Sequence, residues 1–237
     1  MTNQSIRTTS RTLIFTILAL VAFAANSVLC RRALGASTID ASSFSVIRLL
    51  SGTLALLILV RLSKNNGRSP TRKSWLSSIM LLVYAFSFSF AFLTLDTGTG
   101  ALILFGSVQT TMILFSLVSG TRLHMTEWVG VSVAFAGFVF LVLPGVSAPS
   151  VTGLLLMTVA GIAWGVYTLK GRVSDNPLSD TFSNFMGTTP IVLVLAVITI
   201  HSAHYSLEGI VLAILSGAIA SGIGYTIWYI ALGGLSA

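Results

Sequence analysis

Arg48 lies several residues inside an apolar run, Phe44-Ser45-Val46-Ile47-Arg48-Leu49-Leu50, that continues to residue 60. A charged side chain at the centre of a lipid-buried helix costs about 2.5–3.5 kcal/mol on insertion scales. Two uses would justify it. The guanidinium can anchor the carboxylate or phosphate of a solute, or it can snorkel to headgroups at the nearer end of the run. Two amides fall in comparable places, Asn26 late in the first apolar run and Gln109 in the middle of the fourth. Lipid cannot hydrogen-bond an amide, so both are expected in a bundle interior. There they bind solute or tie helices together for about 0.6–2 kcal/mol each. Trp164, Tyr167 and Thr168 share one helical face by their i, i+3, i+4 spacing, and so do Tyr225, Trp228 and Tyr229. Trp164, Tyr167 and Tyr225 are expected to line a cavity. Trp228 and Tyr229, close to a run's end, fit an interfacial aromatic belt.

Little else in the chain suggests chemistry. Asp96 precedes Thr97-Gly98-Thr99-Gly100 and is expected to cap the following helix rather than relay protons. The single cysteine, Cys30, excludes an internal disulfide, and His124, His201 and His204 fall near the ends of runs without Cys or carboxylate neighbours. There is no metal-ligand spacing, no paired carboxylates and no Ser/His/Asp set, so neither an enzyme nor a cofactor is expected.

These residues must be positioned by helices in a membrane. Of the 237 residues 54% are apolar and 8% charged, and the mean hydropathy is +0.94. A soluble domain carries roughly a quarter charged residues. Eight apolar spans are expected, at about 12–30, 41–62, 75–95, 99–119, 127–143, 152–170, 181–200 and 208–232. Ala22-Phe23-Ala24 imitates a signal-peptidase site, but the first span carries part of a repeat and is expected to be retained. The net charge of +7 comes from basic residues between spans, among them Arg61, Lys64, Arg68, Arg72 and Lys73. With the N-terminus in the cytoplasm, most Lys and Arg fall on the cytoplasmic side. Arg31 and Arg32 are then a local violation. No nucleic-acid platform accompanies the charge.

Residues 23–32 are echoed at 163–172, with Asn26 aligned to Tyr167 and Arg31 to Arg172. Phe44-Ser45 matches Phe182-Ser183, Gly52 matches Pro190, and Phe92–Leu95 matches Tyr229–Leu232. A first copy over 12–145 holds five spans. Five is odd, so a second copy over 152–237 enters the membrane from the opposite side. The expected fold is an all-α polytopic transmembrane bundle, an inverted five-helix repeat with the second copy incomplete at three spans. Nothing in the second copy answers residues 101–143. Gly52 and Pro190, helix breakers at corresponding positions, point to the solute region.

LDTGTGALILFGSVQ at 95–109, AGIAWGVYTLKGR at 160–172, ASGIGYTIWYIALGGLSA at 220–237, Arg48, and Ala24-Ala25-Asn26 (where W-G-x-N is usual) carry a resemblance. The chain resembles the EamA-type branch of the drug/metabolite transporter superfamily. The Gly-Glu pair usual after the fourth helix of that family is here Gly120-Thr121. The resemblance implies ten helices in two repeats, a central cavity, and outward movement of amino-acid-like or other small polar or amphipathic solutes across a bacterial inner membrane. The partners it implies are the bilayer and a small solute, with a homodimer allowed. The alternative is a truncated, non-transporting remnant or a subunit needing a partner for the missing helices. The residues expected to bind solute are Asn26, Arg48, Gln109, Trp164, Tyr167 and Tyr225.

Overall fold

The computed structural model describes residues 2–63, 74–120, 125–142 and 149–235. Over these residues the chain is helical: α1 (Thr2–Gly35), α2 (Ala41–Leu62), α3 (Trp75–Ala91), α4 (Thr97–Val118), α5 (Met125–Val142), α6 (Val151–Gly171), α7 (Pro177–Thr199) and α8 (Leu207–Leu232). Six of them, α1, α2, α4, α6, α7 and α8, contain apolar stretches of 21–26 residues, long enough to cross ~30 Å of hydrocarbon. The protein is a multi-pass membrane protein. Helix α3 is shorter than the expected span, because residues 92–94 turn away before Asp96. The cluster from Lys64 to Lys73, Thr121, Arg122 and His124 lie outside the described residues.

Short polar caps start the helices. Asp40, Ser74, Ser150, Asn176 and Ser206 each accept a backbone N–H from three residues on, and Pro177 fits the first turn of α7 where no donor is needed. Asp96 departs from the expectation. It stands at the N-cap position of α4 but makes no capping hydrogen bond, because its carboxylate is taken by Arg31, 3.1 Å away.

The outer surface is as apolar as the core, and a set of polar side chains is buried within that core. Large apolar side chains such as Leu54, Ile58, Val194, Val197 and Ile198 are exposed, whereas Ser45, Arg48, Thr53, Thr181, Asn184 and Thr188 are buried. Lipid solvates the former and the bundle interior satisfies the latter. Helix α2 occupies the middle, against α7 and α8; α3 packs on α6, α4 on α6, and α1 on α8.

Close approach depends on small residues. An added methyl on Gly161 would lie 2.5 Å from Ser107 Cβ and 2.7 Å from the Leu104 carbonyl oxygen, which seats α6 on α4. On Gly217 it would run into the Arg48 carbonyl oxygen, which seats α8 on α2. Gly52 and Pro190 do not break their helices. Helix α2 runs through Gly52, whose missing Cβ makes room for the Phe185 ring, and α7 runs through Pro190. The irregular helix is α8, which widens to π geometry over Leu215–Ile223.

Gly217→Ala should destabilise the bundle by about 1–3 kcal/mol, because the added methyl meets backbone that cannot swing aside. Gly137→Ala, with open space around the site, should be neutral or slightly stabilising. Unfolding by denaturing detergent in mixed micelles compares the two.

Candidate functional site

The buried stripe of α2 includes Phe44, Ser45, Arg48, Leu49, Gly52, Thr53 and Leu56, at the i, i+4 spacing of one helical face. Arg48 is therefore delivered to the bundle centre, about 12 Å along the axis from the cap residue Asp40. It is 1% exposed, which excludes the snorkelling alternative. Its Nε donates to Ser221 Oγ at 3.0 Å, and its Nη2 donates to Tyr225 OH at 2.7 Å and Tyr84 OH at 3.4 Å. Its Cζ lies 5.3 Å from the ring centroids of both Tyr84 and Phe88. Nη1 is buried with no hydrogen-bond partner. Among the described residues the ion pairs are Arg31–Asp96 and Arg32–Glu208, and neither reaches Arg48.

The π stretch of α8 makes part of this contact. Ser221 lies within it and Tyr225 one turn beyond, and both aim at the same guanidinium. Isolated π turns recur where a helix must re-aim side chains at a site. Asn26 joins the same network, accepting from Ser216 Oγ at 2.7 Å and donating to Tyr84 OH at 3.4 Å. Tyr84 thus receives from both Asn26 and Arg48 and links α1, α2 and α3, while the serines bring in α8.

The aromatic residues pack around this centre. Trp164 is 4.5 Å from Tyr225, 4.8 Å from Tyr84 and 5.4 Å from Phe23, centroid to centroid. Tyr167 stacks on Trp164 at 5.2 Å and lies 5.3 Å from Tyr229. Five of the six residues expected at the site, Asn26, Arg48, Trp164, Tyr167 and Tyr225, are thus brought together. Gln109 is not: it is exposed on α4, away from the cluster. Tyr229 is also not a belt residue. It is 3% exposed and receives a hydrogen bond from Asn184 Nδ2 at 3.4 Å. Tyr84, Phe88, Ser216 and Ser221 join the site without having been expected there. Ser221 passes for a packing residue in a small-xxx-small stripe, and Tyr84 is the one hydroxyl-tipped ring in an otherwise unremarkable apolar run.

The two ends of the bundle differ. At the end that carries Ser74, a cavity of about 460 Å³ is lined by Ser74, Trp75, Lys170, Asp180, Asn184 and Tyr229. Tyr229, one of its lining residues, packs against Tyr167 on the inner side of the bundle. At the end that carries Asp40, the loops before α2 and α8 clasp. Asp40 N–H donates to the His204 carbonyl at 2.9 Å, and His204 N–H returns a bond to the Asp40 carboxylate at 2.9 Å. Ser206 N–H donates to the Thr38 carbonyl at 2.7 Å, and Ile39 and Tyr205 form an isolated antiparallel bridge. The pairs Arg31–Asp96 and Arg32–Glu208 flank this clasp.

No family model matches the chain. It is 46% identical over 227 residues to "Uncharacterized protein PA1977" of Pseudomonas aeruginosa, covering 96% of this chain and 79% of that protein. The chain belongs to the family of PA1977. A solved structure titled "Crystal structure of protein" superposes with a TM-score of 0.67 at 18% identity, covering 92% of this chain and 79% of that one. That likeness concerns the fold alone.

The clasp carries a pH dependence. Partial burial pushes the Asp40 carboxyl upward, but hydrogen bonds from Ser43, from the His204 backbone and from Ser42 outweigh it and hold the carboxyl below its ordinary value. A lowered native value means that the stabilisation is complete above the ordinary carboxylate range. It is lost as pH falls below that range through the native value. Amide exchange at His204 should show several-fold loss of protection over that interval, and Asp40→Asn should weaken the clasp and remove the pH dependence.

Proposed function

We propose that the protein is a secondary transporter of small metabolites, built as an EamA-type member of the drug/metabolite transporter superfamily and working by alternating access. The observation that carries this reading is the guanidinium of Arg48, buried at mid-depth among hydroxyls and rings without a carboxylate partner. An intramembrane charge is expensive, and such residues line solute or ion pathways. The asymmetry of the ends supports the same reading: a cavity opens at one end, and ion pairs and crossed loops hold the other together.

An inverted repeat is supported by how the helices pair. Exchanging the first three helices of each proposed repeat, α1 with α6, α2 with α7 and α3 with α8, maps the α3–α6 contact onto α8–α1 and the α2–α7 contact onto itself. In this reading the N-terminus is cytoplasmic and the membrane is the bacterial inner membrane. The Ser74 end is then the cytoplasmic mouth, and the Asp40 end is the closed outer face. Arg31 and Arg32 stop being a charge violation, since each is paired with an acid. The two repeats rock about the Arg48 level, so that opening one end requires closing the other.

Reconstituted full-length protein should move a solute from a broad panel of small metabolites into or out of liposomes. Arg48→Ala should lower the flux at least about tenfold, because hydrogen bonds to a charged group contribute ~1.5–3 kcal/mol each. Absence of flux for every solute from protein shown to be folded would remove the transporter reading.

A further inference from the structure

Arg48 is a single positive charge in an uncharged box. A guanidinium has five N–H donors. Three are spent on Ser221, Tyr225 and Tyr84, and the two on Nη1 are buried without an acceptor. The chain has six acidic residues, and neither ion pair among the described residues reaches this charge. Asp40, Asp96 and Glu208 belong to the clasped end, Asp175 and Asp180 to the end with the cavity, and Glu127 to the first turn of α5. The walls around the guanidinium are flat rings: Tyr84 and Phe88 against its carbon, with Trp164 and Tyr225 beside them.

We propose that this site binds a small organic monoanion with a flat apolar body, an aryl carboxylate in chemical class, through the Nη1 edge of Arg48. The proposal rests on the location assigned to the solute site above and adds what the site recognises. One carboxylate neutralises one guanidinium and accepts the two idle N–H groups. By bridging Nη1 and Nη2 in the usual fork it would also replace the hydroxyl of Tyr225. That exchange couples binding to movement of Tyr225, whose ring lies 6.3 Å from Tyr167, the next ring toward the cavity. A cation finds no acid here. A zwitterion brings an ammonium that must be buried unpaired, and a dianion leaves one charge uncompensated, each a costly burial. A neutral isostere leaves the charge of Arg48 as it was.

Calorimetric titration of the full chain in detergent micelles tests this with probes of one shape: benzoate, benzamide, benzylammonium, phenylalanine and phenyl phosphate. Benzoate should bind at least tenfold more tightly than the other four, and Arg48→Gln should lose that advantage. Tyr225→Phe, which keeps the charge and frees Nη2, should keep the preference for benzoate. Equal binding of benzamide, tighter binding of the ammonium, zwitterion or phosphate, displacement of benzoate by millimolar chloride, or no benzoate binding at all would each overturn the proposal. Selectivity is read on the unmodified chain, so a variant that fails to fold does not remove the test. Benzoate binding without flux of any solute would sink the transport reading and leave this one standing. Flux of a cation or neutral solute without benzoate binding would do the reverse.

Discussion

A cation removed from water without a counter-ion must be held by dipoles, and the centre of this bundle is organised around that requirement. Moving an ion out of water costs several kcal/mol even after relaxation. Arg48 recovers part of it from three hydroxyls and two ring faces contributed by α3 and α8. None of these partners can be supplied by α2 itself. The guanidinium therefore dictates that α2, α3 and α8 converge at one depth, and Asn26 extends the same network to α1. The smallness of Gly52 and Gly217 follows, since the backbones must come close for short serine hydroxyls to reach.

Charge is arranged by depth. The described ion pairs and the Asp40 clasp all lie at one end, and each pair joins segments far apart in sequence: Arg31 to Asp96 and Arg32 to Glu208. Such pairs are partly exposed and contribute little to stability one by one. Their effect is on geometry, because they hold the ends of α1, α4 and α8 together where the crossed loops already meet. The middle has the opposite character, with one charge and, among the described residues, no counter-ion for it. The unsatisfied donors of Arg48 Nη1 are therefore inside the bundle, away from the paired charges.

Helix positions were largely legible in the sequence, because the length and apolarity of a span are imposed by lipid thickness and need no tertiary information. The start of α8 was read within one residue, and α2 at both ends. The depth of Arg48 could also be read, but its environment could not. Whether an arginine eight residues into a helix snorkels or turns inward depends on which face packs against neighbours, and α2 is apolar on every side. Tyr229 shows the same limit: nearness to a helix end suggested the interface, while packing against Tyr167 and Asn184 placed it inside. Gln109 failed in the other direction. Its amide implied an interior position, yet its face of α4 is exposed.

The π stretch of α8 was invisible to periodicity because it carries small residues, Ser216, Gly217, Ala220, Ser221 and Gly222, whose types suit a regular helix packed closely on its neighbours equally well. Its consequence is a change of register. In a regular α-helix, residues 216, 217, 220, 221 and 225 drift round the axis, and one stretch cannot keep Ser216 on Asn26 and both Ser221 and Tyr225 on Arg48 without strain. Widening the turns absorbs the drift, so both hydrogen-bonding clusters face α1 and α2 at once. The wider helix also has poorer backbone hydrogen bonding and is rarely longer than a single turn. A return to α geometry would rotate Ser221 and Tyr225 relative to Ser216, so the contacts of Arg48 and Asn26 with α8 depend together on this one stretch.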